Sequence, residues 1–161
     1  MNRGHGIERS FREGAEMSSV ISATTGAVYG ATPAVSRHDE FVGAAGLLLE
    51  EARGQLAAGA ADLALESAYR AALRTAGAVI AQSATVSRRK RLPSSAWDKL
   101  ALTGPRGKYW AEIFARFSRQ RGRVASGIEL HPDSVEVERL FDYAMAFYGE
   151  TAGETGGASA A

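Results

Sequence analysis

From Ala61 to Ala84 the chain reads ADLALESAYRAALRTAGAVIAQSA, and Leu65, Ala68, Tyr69, Ala72, Leu73, Ala76, Val79 and Ile80 recur at steps of three and four. That period fits one face of a helix and no strand. Alanine and leucine lose little rotamer freedom on entering a helix, so local preference and burial pattern agree. The many alanines of this helix let partner helices approach closely.

Other segments carry the same helical period. A first helix is expected from about Arg37 to Ala58, opened by a capping box of Ser36 and Asp39 and closed at Gly59, with Phe41, Ala45, Leu48, Leu49, Ala52 and Leu56 on its apolar face. The short connection to the alanine-rich helix predicts an antiparallel hairpin. Ser95 with Asp98 marks a short helix whose Trp97 and Leu100 turn inward. TGPRG at 103–107 should break it, and a third long helix resumes near Arg106, carrying Trp110, Ile113, Phe114 and Phe117 to about Gly127. Asp133, as N-cap with Glu136, opens the last helix, which buries Val137, Leu140, Phe141, Ala144, Phe147 and Tyr148. The expected fold class is all-α, an up-and-down bundle of four long helices plus one short helix.

With 161 residues, 45% of them apolar, the chain can build one core. The bundle domain is expected over residues 36–150. Residues 1–35 and 151–161, small and polar, are read as a disordered arm and tail, with residues 1–16 a possible extension preceding Met17. The absence of cysteine excludes disulfides and thiolate metal sites. No run approaches about 18 apolar residues, which excludes a spanning helix. The opening residues also lack the apolar middle of a secretory signal. A soluble, cytoplasmic protein is the expectation.

The charge is partitioned. Residues 86–123 hold eleven Lys and Arg against Asp98 and Glu112, a balance of plus nine, while residues 129–154 hold seven acids against Arg139, minus six. Arg88, Arg89, Lys90, Arg91, Arg116 and Arg119 are candidate contacts to RNA, since a basic face draws phosphate backbones without reading sequence. Alternatively the acidic last helix neutralises the basic one, within a chain or across a dimer. Nucleotide-loop, nucleophile-elbow and zinc-protease motifs are missing. Glu50, Glu51, Asp62 and Glu66 have no histidine-rich company, so neither metal nor cofactor is expected. The spacing of Trp97, Trp110 and Phe114 suits core packing more than base stacking. Of the histidines, His5 lies in the arm and His38 opens the first helix as an exposed residue. His131 enters the last helix eight positions after Arg123. An arginine can hold a phosphodiester while a histidine moves the proton of an attacking 2′-hydroxyl, which makes Arg123 and His131 the candidate catalytic pair. A plain loop histidine before Pro132 is the alternative.

The order of features, with LLLEEARGQLAAG, AYRAALRTAGAVIA, the RRKR linker, SSAWDKLAL, YWAEIFARF and an acidic last helix, resembles the HEPN family over roughly residues 38–149. More closely, it resembles a small stand-alone actinobacterial branch of that family. The resemblance implies a helical domain that forms a homodimer. It also implies, for many members, metal-independent ribonuclease activity in toxins or defence, with an Arg, four to six residues, then a His at the fourth helix. Here Arg123 and His131 are separated by the seven residues VASGIEL, and Val124 replaces the polar residue that usually follows the Arg. With that departure the resemblance implies a binding or regulatory module, directed at RNA or at a protein partner, without efficient catalysis. An endoribonuclease and a purely structural bundle are the alternatives.

Overall fold

The computed structural model describes the backbone of residues 34–157 and the side chains of residues 37–153. Residues 1–33 of the arm expected over residues 1–35, and the last four residues of the expected tail, lie outside the described residues. Among the described residues six helices follow one another: α1 (Ala34–Ala57), α2 (Ala61–Gln82), α3 (Ala84–Ser87), α4 (Ala96–Ala101), α5 (Pro105–Ala125) and α6 (Ser134–Gly157). Among the described residues there is no strand. The chain is thus an all-α bundle of four long helices with α4 as the short fifth. The turn α3, which apolar spacing does not signal, is capped by the Ser83 side chain accepting from the Val86 amide.

Turn chemistry explains most boundaries. Gly59, at φ 75°, ends α1: its amide donates to the Leu56 carbonyl and the Ala60 amide to Gln55, the paired bonds of a glycine helix stop. Ser95 caps α4 by accepting from the Asp98 amide, and Pro105 opens α5 where a missing N–H costs nothing. Asp133 caps α6 through its carboxylate, which accepts from Val135. Two ends differ from the sequence reading. Helix α1 starts at Ala34, so Ser36 lies inside the first turn instead of capping it, and His38 sits a turn deeper than expected. Helix α6 runs to Gly157 instead of ending near Glu150. Its extra turns follow a tethered stretch, since Glu150 bonds to α5 and the buried Thr151 hydroxyl donates to the Phe147 carbonyl at 3.0 Å.

Helix α2 is central, in contact with α1, α4, α5 and α6. Its Ala64, Ala68, Ala71, Ala72 and Ala76 are fully or almost fully buried, and the partners fill the space with rings. Trp97 of α4 stacks on Phe114 of α5 (centroids 5.3 Å apart), and Trp110 stacks on Phe147 of α6 at 5.1 Å. Phe114, wholly buried, also meets Phe147 at 5.6 Å. These rings hold the α5 and α6 backbones apart while joining them. Beside the stack, the Trp97 indole N–H donates to the Tyr69 hydroxyl at 2.8 Å, and that hydroxyl shares a 2.7 Å bond with Ser118. Arg121 lies 4.8 Å from the Tyr69 ring centroid and grips Glu66 through two bonds of 2.8 Å, tying α5 to α2. The hydrogen bonds from Arg121 hold the Glu66 carboxyl below its ordinary value, against an opposing effect of burial. Among the described residues no helix is long and apolar enough to cross a membrane.

Two predictions follow from this packing. A Cβ at Gly107 would collide with Thr103 Oγ1 and the Leu100 carbonyl, whereas one at Gly54 meets nothing within 4 Å. In urea unfolding, Gly107→Ala should therefore cost roughly 1–3 kcal/mol and Gly54→Ala should add about 0.5–1 kcal/mol. The Glu66 contribution to stability is complete above the ordinary carboxylate range and disappears as pH falls through its lowered folded value. The unfolding midpoint of Glu66→Gln should consequently fall less than that of the wild type on acidification, starting from a lower value at neutral pH.

Candidate functional site

The last turn of α5 and the first of α6 bring Arg123 and His131 to the same connection. Gly127, at φ 74°, stops α5, and the Arg123 carbonyl accepts from both the Ile128 amide (2.9 Å) and the Glu129 amide (3.1 Å). That closure returns the Glu129 carboxylate toward the Arg123 side chain, with Nε 3.6 Å from Oε2 and the guanidinium-bearing side chain 56% exposed. His131 is exposed, between exposed Leu130 and buried Pro132, and its ring has no hydrogen-bond partner among the described residues. Ile128, Leu130 and Val135 are also exposed here. The turn thus offers an open imidazole and a guanidinium already facing a carboxylate. Ser126, between them in sequence, turns its hydroxyl back to the Gly122 carbonyl at 2.8 Å.

The other basic residues divide into two groups. Arg106, Arg121 and Arg123 face Glu150, Glu66 and Glu129 respectively, so part of the charge partition is cancelled within the chain. Arg88, Arg89, Lys90 and Arg91 are exposed on the connection from α3 to α4, and Arg116 and Arg119 are exposed one turn apart on α5. Among the described residues these six form no ion pair. Trp97, Trp110 and Phe114 are buried against one another, which commits their faces to the core. No three His, Asp or Glu side chains converge among the described residues.

A further site was not visible from sequence patterns. A cleft of about 410 Å³ opens where the ends of α2 and α5 meet α6 and the start of α1. Arg106 donates to the Glu150 carboxylate from Nε (3.1 Å) and from Nη2, and the Trp110 indole donates to the same carboxylate at 2.8 Å. Those bonds, that of Arg106 foremost, hold the Glu150 carboxyl below its ordinary value while burial opposes them. In return Glu150 raises the Arg106 guanidinium. His38, expected on the surface, also lines the cleft and is only 2% exposed, its Nδ1 3.4 Å from Asp39. The one usable clue was TGPRG, which marks a helix start with an arginine in its first turn; nothing local pairs that arginine with a glutamate 44 positions later.

Comparison with known proteins bears on the whole arrangement. A family model described as HEPN_SAV_6107-like HEPN matches residues 57–151, from the end of α1 through Thr151. No curated protein and no solved structure matches the chain. The matched span contains the alanine-faced helix, the aromatic stack and both candidate sites apart from His38. The chain belongs to the SAV_6107-like HEPN family.

Proposed function

We propose that this protein is a HEPN-like binding or regulatory module that contacts RNA through its exposed basic residues and works as a homodimer without efficient catalysis. The observation that carries this reading is the sorting of the cations. Within residues 86–123, Arg106, Arg121 and Arg123 are occupied by carboxylates, whereas Arg88, Arg89, Lys90, Arg91, Arg116 and Arg119 have none and are exposed. Exposed cations release condensed counterions when they meet a phosphate backbone, which favours binding at low salt without sequence readout.

A twofold pairing is supported by the exposed Ile128, Leu130 and Val135, which offer a second copy apolar surface at the connection from α5 to α6. Catalysis is disfavoured by Glu129, which competes with a phosphodiester for Arg123. The alternative, a metal-independent endoribonuclease, draws on the open position of His131 in the same connection. A purely structural bundle with a protein partner draws on the three apolar residues alone.

Single-stranded RNA should bind at low salt with log K falling linearly in log salt, and Arg116→Ala with Arg119→Ala should reduce that slope by about 0.7 per lost contact. No binding at low salt would remove RNA from the reading. RNA incubated with the protein in EDTA should stay intact in both wild type and His131→Ala. Cleavage by the wild type that vanishes in a folded His131→Ala variant would instead establish the endoribonuclease.

A further inference from the structure

We infer that Tyr109 is a stacking platform for an unpaired base, which makes the exposed face of α5 a site for single-stranded RNA. This deepens the RNA reading and rests on it. Exposed cations attract any phosphate backbone, paired or unpaired. An exposed ring beside them separates the two, because the bases of a duplex cover one another's faces and only a splayed base can lie on a protein ring.

The helical period assembles the face. At about 100° per residue, Lys108, Tyr109, Glu112, Arg116 and Arg119 fall within an arc of roughly 100°, turned away from the buried Trp110, Phe114 and Phe117. All five are exposed. Lys108, Arg116 and Arg119 form no ion pair among the described residues, so three open cations stand on the arc against the single acid Glu112. Arg123 shares the arc but already faces Glu129. From Lys108 to Arg119 the face runs about 16 Å along the helix, a length that a strand of roughly four or more nucleotides covers.

Tyr109 is the ring that this helix does not commit to the core. It is 46% exposed, whereas Trp110, Phe114 and Phe117 are buried. Among the described residues its hydroxyl has no hydrogen-bond partner, so no polar contact explains its place on the surface. The ring is nevertheless held. Its edge meets Trp110, with centroids 5.0 Å apart and planes at 72°, and the Arg106 guanidinium lies 4.5 Å from its centroid. Arg106 is itself fixed through two nitrogens by the Glu150 carboxylate. A ring held in this way loses little freedom when a base stacks on it, and it meets the strand between cations that bind the flanking phosphates. An acidic protein segment would use the same cations but has no need of the ring.

The test is fluorescence anisotropy of the full chain at low salt with three labelled probes of equal length: a single-stranded oligoribonucleotide, the corresponding duplex, and an abasic strand that keeps the phosphates and lacks the bases. Tyr109→Leu, which keeps an apolar contact to Trp110, should weaken the single strand roughly five- to a hundredfold while leaving the duplex, the abasic strand and the salt slope unchanged. Tyr109→Trp should restore the affinity. Equal loss on the abasic strand would show that Tyr109 acts only by placing Arg106, and unchanged affinity for the single strand would show no stacking; either result overturns the proposal and leaves the RNA reading standing. Competition by poly-glutamate as strong as that by RNA would assign the face to an acidic protein partner and overturn it as well. Absence of binding by the wild type to every probe would instead remove the RNA reading on which the proposal rests.

Discussion

Everything in the bundle leans on the contact between an alanine-faced helix and a stack of aromatic rings. Helix α2 buries mainly alanine beside Leu65 and Tyr69, and the rings of Trp97, Phe114, Trp110 and Phe147 fill much of the space that the alanines leave. This division lets α1 lie close on one side of α2 while α5 and α6 stand further off on the other. The ring edges and faces fix which partner sits where, because aromatic pairs hold preferred offsets that a set of leucines would not impose. Removing a single ring from such a stack leaves a cavity that backbone relaxation fills poorly.

Polar groups then define the orientation that the stack alone would leave loose. Tyr69 is placed twice over, its hydroxyl between Trp97 and Ser118 and its ring beneath Arg121. Glu66 and Glu150 perform corresponding roles at positions far apart along α5, each holding an arginine from that helix. Both pairs are partly exposed, so their energetic contribution is modest and their main effect is to set the rotation of α5 about its own axis. That rotation decides which arginines face carboxylates and which face solvent.

The helices and their core faces were legible because burial follows a local period. Every apolar position expected for α5 is buried, and Ser95, Gly59 and Asp133 act at the boundaries that their chemistry announces. The candidate sites were legible only in part. Arg123 and His131 sit eight residues apart on one connection, so local spacing places them, but the approach of Glu129 depends on a glycine stop whose three-dimensional return is not a periodic signal. The cleft was hidden for a stronger reason: His38, Arg106 and Glu150 come from three helices far apart in the chain. His38 has no apolar period of its own to announce that it is buried. The helix continues past the expected boundary at Glu150 to Gly157, because small residues there extend a helix already anchored by Phe147 and Glu150.

The stop at Gly127 also governs how this chain can vary. Its bonds span a fixed count: Gly127 donates to Val124, Ile128 and Glu129 both donate to Arg123, and the next helix is capped at Asp133. Taking out any residue from Val124 to Glu129 would remove the left-handed glycine, displace it relative to the Arg123 carbonyl, or delete an amide that closes onto that carbonyl. Leu130 lies outside these bonds. The connector can therefore be shortened without breaking the end of the helix only between Glu129 and the Asp133 cap.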